Sequence, residues 1–510
     1  MKDINLEARY TSGNHTIFDS VKNFYFMRLF ALLSLLIFGQ SILAQTLIAW
    51  SQTEDIAPSQ YGNLHPRVRV DGSGNPVVIW GNGTQVNFAR IGGNGFTIPT
   101  ALNPGSIPIF AASWAGPDLA SHGDTVYVVF KETPEHAGGI FIVHSFDGGA
   151  NFSDPVRVDD TADSLSRFPA VATDANGNPL VAFMKFNPGW GSARYVLAKS
   201  EDYGNTFGAD VLGSRFSGGD VCDCCPASVT TSGSTAALLY RDNLNNLRNS
   251  WAGISLNGGD SFVGGIEIDN TDWMVGACPS SGPDGVIYGD SLYSVFMSAA
   301  SGKALCYRSR ASISNLQMES IEPLTANIMG LNLQNFPRIA ASDKAVAILW
   351  TQSVNDSAQL AIQFTNNISD GFPSGYELLV EDNVMNADIA ISSTEVYVVW
   401  EDMNSGTVKF KSGTYILSGV TDVKIQQEPV KIFPNPSSAG LYIQFEKPDD
   451  DAQVHYNIFN SQGQQLISGF GYAIDGVLNI DTSILSTGVH FIQINHHNQI
   501  DYLPIIFQNN

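Results

Sequence analysis

The sequence predicts an all-β chain: a seven-bladed, alternatively six-bladed, β-propeller followed by a small C-terminal β-sandwich. Three observations support this fold class. One strand pattern recurs at intervals of 50 to 57 residues, turn residues are abundant (48 Gly and 23 Pro in 510 residues), and the composition changes near residue 420. Hydrophobic residues make up 44% of the chain and charged residues only 15%, which indicates a globular protein with a substantial core.

The first 45 residues are expected to lie outside the propeller. Residues 27–45 have the pattern of a signal peptide, because Arg28 is followed by an apolar run from Leu29 to Ile42 and by Ala44, a small residue suited to cleavage. Residues 1–26 are then an upstream extension. A membrane anchor is the alternative for the apolar run, and no later run is long and apolar enough to span a bilayer.

The repeated unit occupies residues 46–420, the predicted propeller. Each copy has an opening strand, a turn and an apolar strand that ends in an aromatic residue. These aromatic residues are Trp80, Phe130, Phe183, Tyr240, Phe296, Trp350 and Trp400. Six copies open on a proline, and Ala387 takes that place in the seventh; the prolines are Pro66, Pro117, Pro169, Pro226, Pro283 and Pro337. Four strands per repeat is the unit of a propeller blade, and we expect Leu47–Gln52 to complete the last blade and cover its edge.

Three turns between third and fourth strands share the pattern S-x-D-x-G-x-T-F, one of them in full. The defining positions are Ser145, Asp147, Gly149, Phe152, Ser200, Asp202, Gly204, Phe207, Ser255, Asn257, Gly259 and Phe262. In such turns a short polar side chain caps backbone N–H groups and glycine adopts positive φ. The turns resemble the Asp boxes, or BNR repeats, of sialidase-like β-propellers. This resemblance covers residues 46–420 and implies that the turns are structural and lie on the face opposite the active site.

The C-terminal region has a different composition. After a polar linker at 421–429, residues 430–510 alternate apolar strands with Gly and Asn turns, which is typical of a small antiparallel sandwich. In order come Pro434-Asn435-Pro436, an aromatic-N-x-x-G-x-x-L run beginning near Tyr456, and an L-x-x-G-x-aromatic-x-I run beginning at Leu485. This order resembles the type A sorting domain of the type IX secretion system of Bacteroidota. A generic immunoglobulin-like binding module is the alternative.

The sorting-domain resemblance implies where the protein is exported. It implies Sec export and contact with the type IX secretion machinery, followed by release or anchoring at the outer-membrane surface. The formal net charge of −23 argues against nucleic acid as a partner, because phosphate binding requires clustered cations. The chain also has no HExxH motif, phosphate loop or G-x-S-x-G elbow.

Four of the five cysteines lie in the loops that lead into the first strands of blades 4 and 5: Cys222, Cys224, Cys225 and Cys278. Such loops share one face, so we expect the four sulfurs to lie together beside Arg241 and Trp273. Disulfides, a Zn²⁺ or Cu(I) site and a redox-active thiol site all remain open. Three cysteines within four residues disfavour two relaxed disulfides. The fifth, Cys306, is expected to be a buried small residue.

The same face supplies the candidate ligand-binding residues, which are Arg67, Arg241, Asp242, Trp273 and Arg338. Sialidase chemistry, as the resemblance implies it, requires an arginine trio, a tyrosine activated by a glutamate, and an aspartic acid. No Tyr–Glu pair can be nominated from the sequence, so no catalytic residue is assigned and no release of sialic acid is expected. We therefore predict a binding propeller for an extracellular glycan or protein, with a thiol-rich and metal-compatible centre. The alternative is a glycoside hydrolase related to exo-α-sialidases.

Overall fold

The computed structural model describes residues 48–57, 62–93, 95–160, 165–325, 328–381, 383–415, 430–438, 440–445, 453–460, 465–496 and 499–508. The predicted upstream extension, signal peptide and linker lie outside these residues. The described chain is all-β, with a single 3₁₀ turn at Ile368–Asp370. Within the described ranges, no helix is long and apolar enough to cross a membrane.

Seven antiparallel sheets of four or five strands follow one another along residues 48–415. The chain starts with β1 (Ile48–Trp50) and β2 (Glu54–Asp55), which belong to the seventh sheet. Sheet 1 contains β3 (Asn63–Val70), β4 (Pro76–Asn82), β5 (Gln85–Gly92), β6 (Gly95–Phe96) and β7 (Thr100–Ala101). Sheet 2 contains β8 (Asp118–His122), β9 (Thr125–Lys131), β10 (Ile140–Ser145) and β11 (Val156–Arg157). Sheet 3 contains β12 (Leu165–Thr173), β13 (Pro179–Phe186), β14 (Arg194–Lys199) and β15 (Val211–Leu212).

The next four sheets repeat this order. Sheet 4 contains β16 (Asp220–Val221), β17 (Ser228–Ser232), β18 (Thr235–Asn243), β19 (Ser250–Ser255) and β20 (Gly264–Glu267). Sheet 5 contains β21 (Asp284–Tyr288), β22 (Ser291–Ser298), β23 (Leu305–Ser312) and β24 (Gln317–Pro323). Sheet 6 contains β25 (Leu331–Ser342), β26 (Ala345–Val354), β27 (Ser357–Thr365) and β28 (Glu377–Val380). Sheet 7 contains β29 (Val384–Ile391), β30 (Glu395–Asp402) and β31 (Val408–Tyr415).

The sheets contact each other through their opening strands. In chain order these are β3, β8, β12, β17, β21, β25 and β29; each contacts the next, and β29 contacts β3. The seven aromatic residues of the repeat all lie in the strand that follows the opening strand, and all are buried. The pairing expected of Leu47–Gln52 is present for Ile48–Trp50, because β1 pairs with β31 and places Ile48 opposite Tyr415. The described N-terminal strand thus covers the edge of sheet 7.

The three Asp-box-like turns have the hydrogen bonds expected of them. In the complete copy, the Ser200 hydroxyl donates to Asp202 at 2.8 Å, and Asp202 accepts from the backbone and hydroxyl of Thr206 at 2.8 and 2.7 Å. The other two turns have the same pattern, with Asn257 in place of the aspartate in one of them. Each box aromatic packs against the preceding sheet, as Phe152 does against Phe88, with the ring centroids 4.9 Å apart.

The C-terminal region forms two further sheets. The first contains β32 (Lys431–Phe433), β33 (Gly440–Gln444) and β36 (Val477–Asp481). The second contains β34 (Gln453–Asn460), β35 (Gln465–Tyr472), β37 (Gly488–His496) and β38 (Gln499–Phe507). Alternate residues of both sheets, such as Ile443 and Ile492, share one buried apolar cluster that contains no residue of sheets 1–7. The region therefore has a core of its own.

Candidate functional site

A polar cavity of about 80 Å³ lies where the seven opening strands begin. Every sheet contributes to its wall. The contributions, in sheet order, include Arg67, Asp118, Phe168, Ser228, Asp284, Arg338 and Asn386. A second cavity of about 290 Å³ continues along the same strands, and Arg69, Asp284 and Arg338 line both cavities. A site built from all seven sheets is fixed in shape by the packing of the whole domain.

The backbone is irregular at this end of the opening strands. The register of β3, β12 and β25 shifts at the opening proline, so each strand carries a bulge there. The residues before these prolines adopt left-handed conformations, with φ of 57° at His65, 53° at Phe168 and 49° at Phe336. All three line the cavity. Bulky residues rarely adopt this conformation, and bulges and strained backbone concentrate at functional sites because they aim side chains.

Three arginines and three aspartates form one ion-pair network between the two cavities: Arg67, Arg69, Arg338, Asp118, Asp284 and Asp388. Asp388 is at its centre. Its carboxylate accepts hydrogen bonds from Arg69 and Arg338, both at 2.8 Å, and from the Val68 backbone N–H at 3.0 Å. Arg338 also lies 3.4 Å from Asp284. The formal charges of the network cancel, so no guanidinium is left without a carboxylate.

Burial and neighbouring charges set the protonation of this site. Burial favours a higher pKa for Asp388, but Arg338 and Arg69 outweigh it and hold that pKa well below its usual range. Burial, together with Arg338, lowers the pKa of Arg67 to about 10. Burial and the Arg67 guanidinium hold the pKa of His65 well below its usual range. At neutral pH the cavity therefore contains paired charges and a neutral imidazole.

A second hydrogen-bond network holds His65 in its left-handed conformation. Glu401 accepts from the His65 backbone N–H at 2.6 Å and from the Ser113 hydroxyl at 2.8 Å. The His65 Nδ1 atom is 3.2 Å from the Ser113 carbonyl oxygen and 3.2 Å from the Asn386 amide nitrogen. These contacts join sheet 7, sheet 1 and the loop that leads into sheet 2. They fix the imidazole at the cavity wall.

The four clustered cysteines lie together, as expected, but they are paired as two disulfides. Cys222 pairs with Cys225 and Cys224 with Cys278, with Cα atoms 5.5 and 6.1 Å apart. Of the three states that the sequence left open for these cysteines, the structure has the disulfides. The Cys225 N–H donates to the Cys222 carbonyl oxygen at 3.1 Å, and this tight turn brings two cysteines three positions apart within bridging distance. Cys306 is buried and unpaired, as expected.

Three of the cysteine sulfurs lie close enough together to hold a metal ion, but all three belong to disulfides. The sulfurs of Cys222, Cys224 and Cys225 lie within 4.8 Å of one another, and those of Cys222 and Cys224 are 3.6 Å apart. Zn²⁺ and Cu(I) bind thiolates, which paired cysteines do not supply. The bridges therefore act as covalent links, and the Cys224–Cys278 bridge joins the loops that lead into sheets 4 and 5.

The remaining candidate ligand residues lie beside the cavity and not in its wall. Arg241 is fully buried and donates to the carbonyl oxygens of Ser281, Arg248 and Met297 at 3.1, 2.6 and 2.6 Å. Its guanidinium lies 5.5 Å from the Trp273 ring, and its carbonyl accepts from the Cys222 N–H. Asp242 is also buried. Arg241 thus supports the loop that carries the cavity-lining Ser281, and only Arg67 and Arg338 of the five candidates line the cavity itself.

Residue-by-residue comparison of the repeats would have revealed the network. The residue that follows each opening proline, or Ala387, lines the cavity or pairs with a residue that does, and these residues are Arg67, Asp118, Ala170, Ala227, Asp284, Arg338 and Asp388. In sheet order their charges alternate except at Ala170 and Ala227, which also line the cavity. Arg69 follows Arg67 by two positions and shares its face of β3. No sequence pattern indicates that Trp114, whose ring lies 5.2 Å from that of Phe168, belongs to the cavity wall.

Comparisons with known proteins identify the C-terminal region. Residues 431–506 match the family model described as "Secretion system C-terminal sorting domain". This confirms the predicted sorting domain and indicates secretion of the protein. A comparison with curated proteins gives no match.

Solved structures with a similar fold share little sequence with this chain. A protein of unknown function from Dyadobacter fermentans DSM 18053 is 11% identical, with a TM-score of 0.44, over 73% of this chain and 100% of that one. A PL25 ulvan lyase is 12% identical, with a TM-score of 0.45, over 72% and 94%. Trypanosoma rangeli sialidase, in complex with 2,3-difluorosialic acid, is 10% identical, with a TM-score of 0.40, over 90% and 89%. Similarity at this level carries no inference about the chemistry of this chain.

Proposed function

We propose that this chain is an exported seven-bladed β-propeller that binds the uncharged end of an extracellular glycan in the cavity at its axis. The seven consecutive sheets, each in contact with the next through its opening strand, support the blade number. We propose a signal peptide at 27–45, the propeller at 46–420, and a linker at 421–429 that leads to the sorting domain. The sorting domain would engage the type IX secretion machinery and leave the propeller outside the cell.

The observation that carries the proposal is the charge-balanced polar ring around a small cavity with aromatic walls. The arginines and aspartates present N–H donors and carboxylate acceptors side by side, which suits the vicinal hydroxyl groups of a sugar. Trp114, Phe168 and Phe336 supply flat apolar surfaces beside them. Sites of this kind, mostly preformed with a few convergent polar groups, bind small ligands. A cavity of about 80 Å³ corresponds to roughly three water molecules at their share of liquid volume, so it suits the tip of one terminal sugar better than a protein surface.

Two features favour binding over sialidase-type hydrolysis. Every guanidinium in the network already has an aspartate partner, whereas a carboxylate clamp requires arginines with free positive charge. Among the described residues, those that line the cavity include neither tyrosine nor glutamate. A nucleophilic pair of these two side chains therefore has no members at the site. The thiol-rich centre is structural in this proposal, since its two disulfides hold the loops beside the cavity in place.

Screening the purified, processed protein on an array of neutral and carboxylated glycans tests the proposal. We expect binding to neutral glycans and no turnover of a fluorogenic sialoside. Ala227 lines the cavity, so Ala227→Phe should fill it and abolish binding. Ala150→Phe, on an exposed turn of the opposite face, is the matched control and should bind normally. Sialoside turnover that Arg338→Ala abolishes would favour the hydrolase alternative and overturn the proposal.

A further inference from the structure

We infer that an exposed indole, Trp190, forms a second sugar subsite at the rim of the cavity, so that the protein binds chain ends longer than one sugar. The inference rests on the proposed function and extends it from a terminal sugar to an oligosaccharide. Trp190 lies in the loop between β13 and β14, on the face that carries the cavity. It is 39% exposed, although large aromatic side chains usually avoid water.

The loop is built to present this side chain. Trp190 has a φ of 67° and Ser192 a φ of 54°, conformations that are costly for residues other than glycine and asparagine. Two backbone hydrogen bonds close the loop. The Asn187 N–H donates to the Gly191 carbonyl oxygen at 2.9 Å, and the Trp190 N–H donates to the Asn187 carbonyl oxygen at 3.1 Å. The Phe186 ring contacts the indole edge to face, with centroids 5.1 Å apart. The Phe186 ring thereby supports the indole, which remains partly exposed.

A continuous stack connects the indole with the cavity. The Arg167 guanidinium lies 4.1 Å from the centroid of Phe168, which lines the cavity, and 5.7 Å from the centroid of Trp190. Arg167 is held from two neighbouring loops, since it forms an ion pair with Glu135 at 3.2 Å and donates to the Asp223 carbonyl oxygen at 3.1 Å. A sugar chain that leaves the cavity over Phe168 would therefore meet a fixed guanidinium and then a flat aromatic surface.

Two variants at position 190 distinguish the contribution of the indole ring to binding from that of the loop conformation. Trp190→Asn removes the ring and keeps a residue that tolerates left-handed φ, and Trp190→Phe restores an aromatic ring. Tyr203 is a control on the opposite face, because it is 46% exposed and also left-handed, with a φ of 58°. Tyr203→Asn therefore repeats the same change at a position remote from the cavity.

Calorimetric titration should use the processed full chain with matched probes: glucose and cellotetraose, mannose and mannotetraose, galactose and galactotetraose. For the recognised pair, the tetrasaccharide should bind about tenfold tighter than the monosaccharide. Trp190→Asn should remove this gain and leave monosaccharide binding unchanged, Trp190→Phe should restore most of it, and Tyr203→Asn should change neither affinity. Equal affinities of the two probes, or a gain that survives in Trp190→Asn, would overturn the subsite and leave the proposed function standing. No binding of any probe would overturn the proposed function and the subsite with it.

Discussion

Substitution of Asp388 by asparagine tests whether the ion-pair network around this residue holds the seven sheets together. Asp388 is 1% exposed and accepts hydrogen bonds from Arg69, Arg338 and the Val68 N–H. The variant Asp388→Asn keeps the shape of the side chain and removes its charge. Three guanidiniums would then face two carboxylates in a largely buried site.

The expected destabilisation is large because a buried pair is broken on one side only. Removal of one partner from such a pair costs about 3 to 5 kcal/mol, since the remaining charge stays buried without compensation. Because Arg338 and Arg69 hold the pKa of Asp388 below its usual range, the carboxylate stabilises the fold at pH values above its unfolded pKa, and this contribution is lost as the pH falls towards the folded pKa. The full effect is therefore expected at neutral pH.

Urea unfolding at pH 7 measures the effect. All eight tryptophans lie in the range 50–400, so their fluorescence reports on sheets 1–7 and not on the sorting domain. The matched control is Asp260→Asn, which breaks an exposed ion pair of 3.0 Å with Lys199 and should cost at most about 1 kcal/mol. Equal losses for Asp388→Asn and Asp260→Asn would refute the view that burial makes the network indispensable.

Three further predictions concern the cysteines, the buried histidine and the tail. Thiol titration of denatured, unreduced protein should find one thiol per chain, that of Cys306; three or five thiols would contradict the pairing. Burial holds the pKa of His65 well below its usual range, so the histidine takes up a proton in the unfolded state but not in the folded state. Between pH 7.0 and 5.5, wild type should therefore lose about 1 kcal/mol more stability than His65→Asn. Urea unfolding of both proteins at both pH values checks this. Equal losses of stability in wild type and His65→Asn would show that the imidazole is also protonated in the folded state. Deletion after Gly419 should leave the melting temperature of the propeller within a few degrees, and an unfolded product would disprove the domain boundary.

Several features of the fold could be predicted because they depend on local sequence. Apolar strands that end in an aromatic residue recur in all seven sheets, and opening prolines recur in six of them. The polar turns at Ser145, Ser200 and Ser255 make hydrogen bonds within four residues. The clustering of the cysteines could also be predicted, since two loops that lead into neighbouring opening strands must share a face. Its pairing was not, because it depends on a tight turn at Cys222–Cys225 that spacing alone does not specify.

The sequence by itself determined the all-β class, the repeated sheets, the capped turns and the sorting domain, because each is encoded in residues close together in the chain. Only the tertiary structure decided what the axis contains. Arg69 and Asp388 are 319 positions apart, and Arg167 meets Glu135 and Asp223 only when sheets 2, 3 and 4 are assembled. The energy of a buried charge depends on its distance to the opposite charge and on its exclusion from water, and both are set by how the sheets pack around the axis.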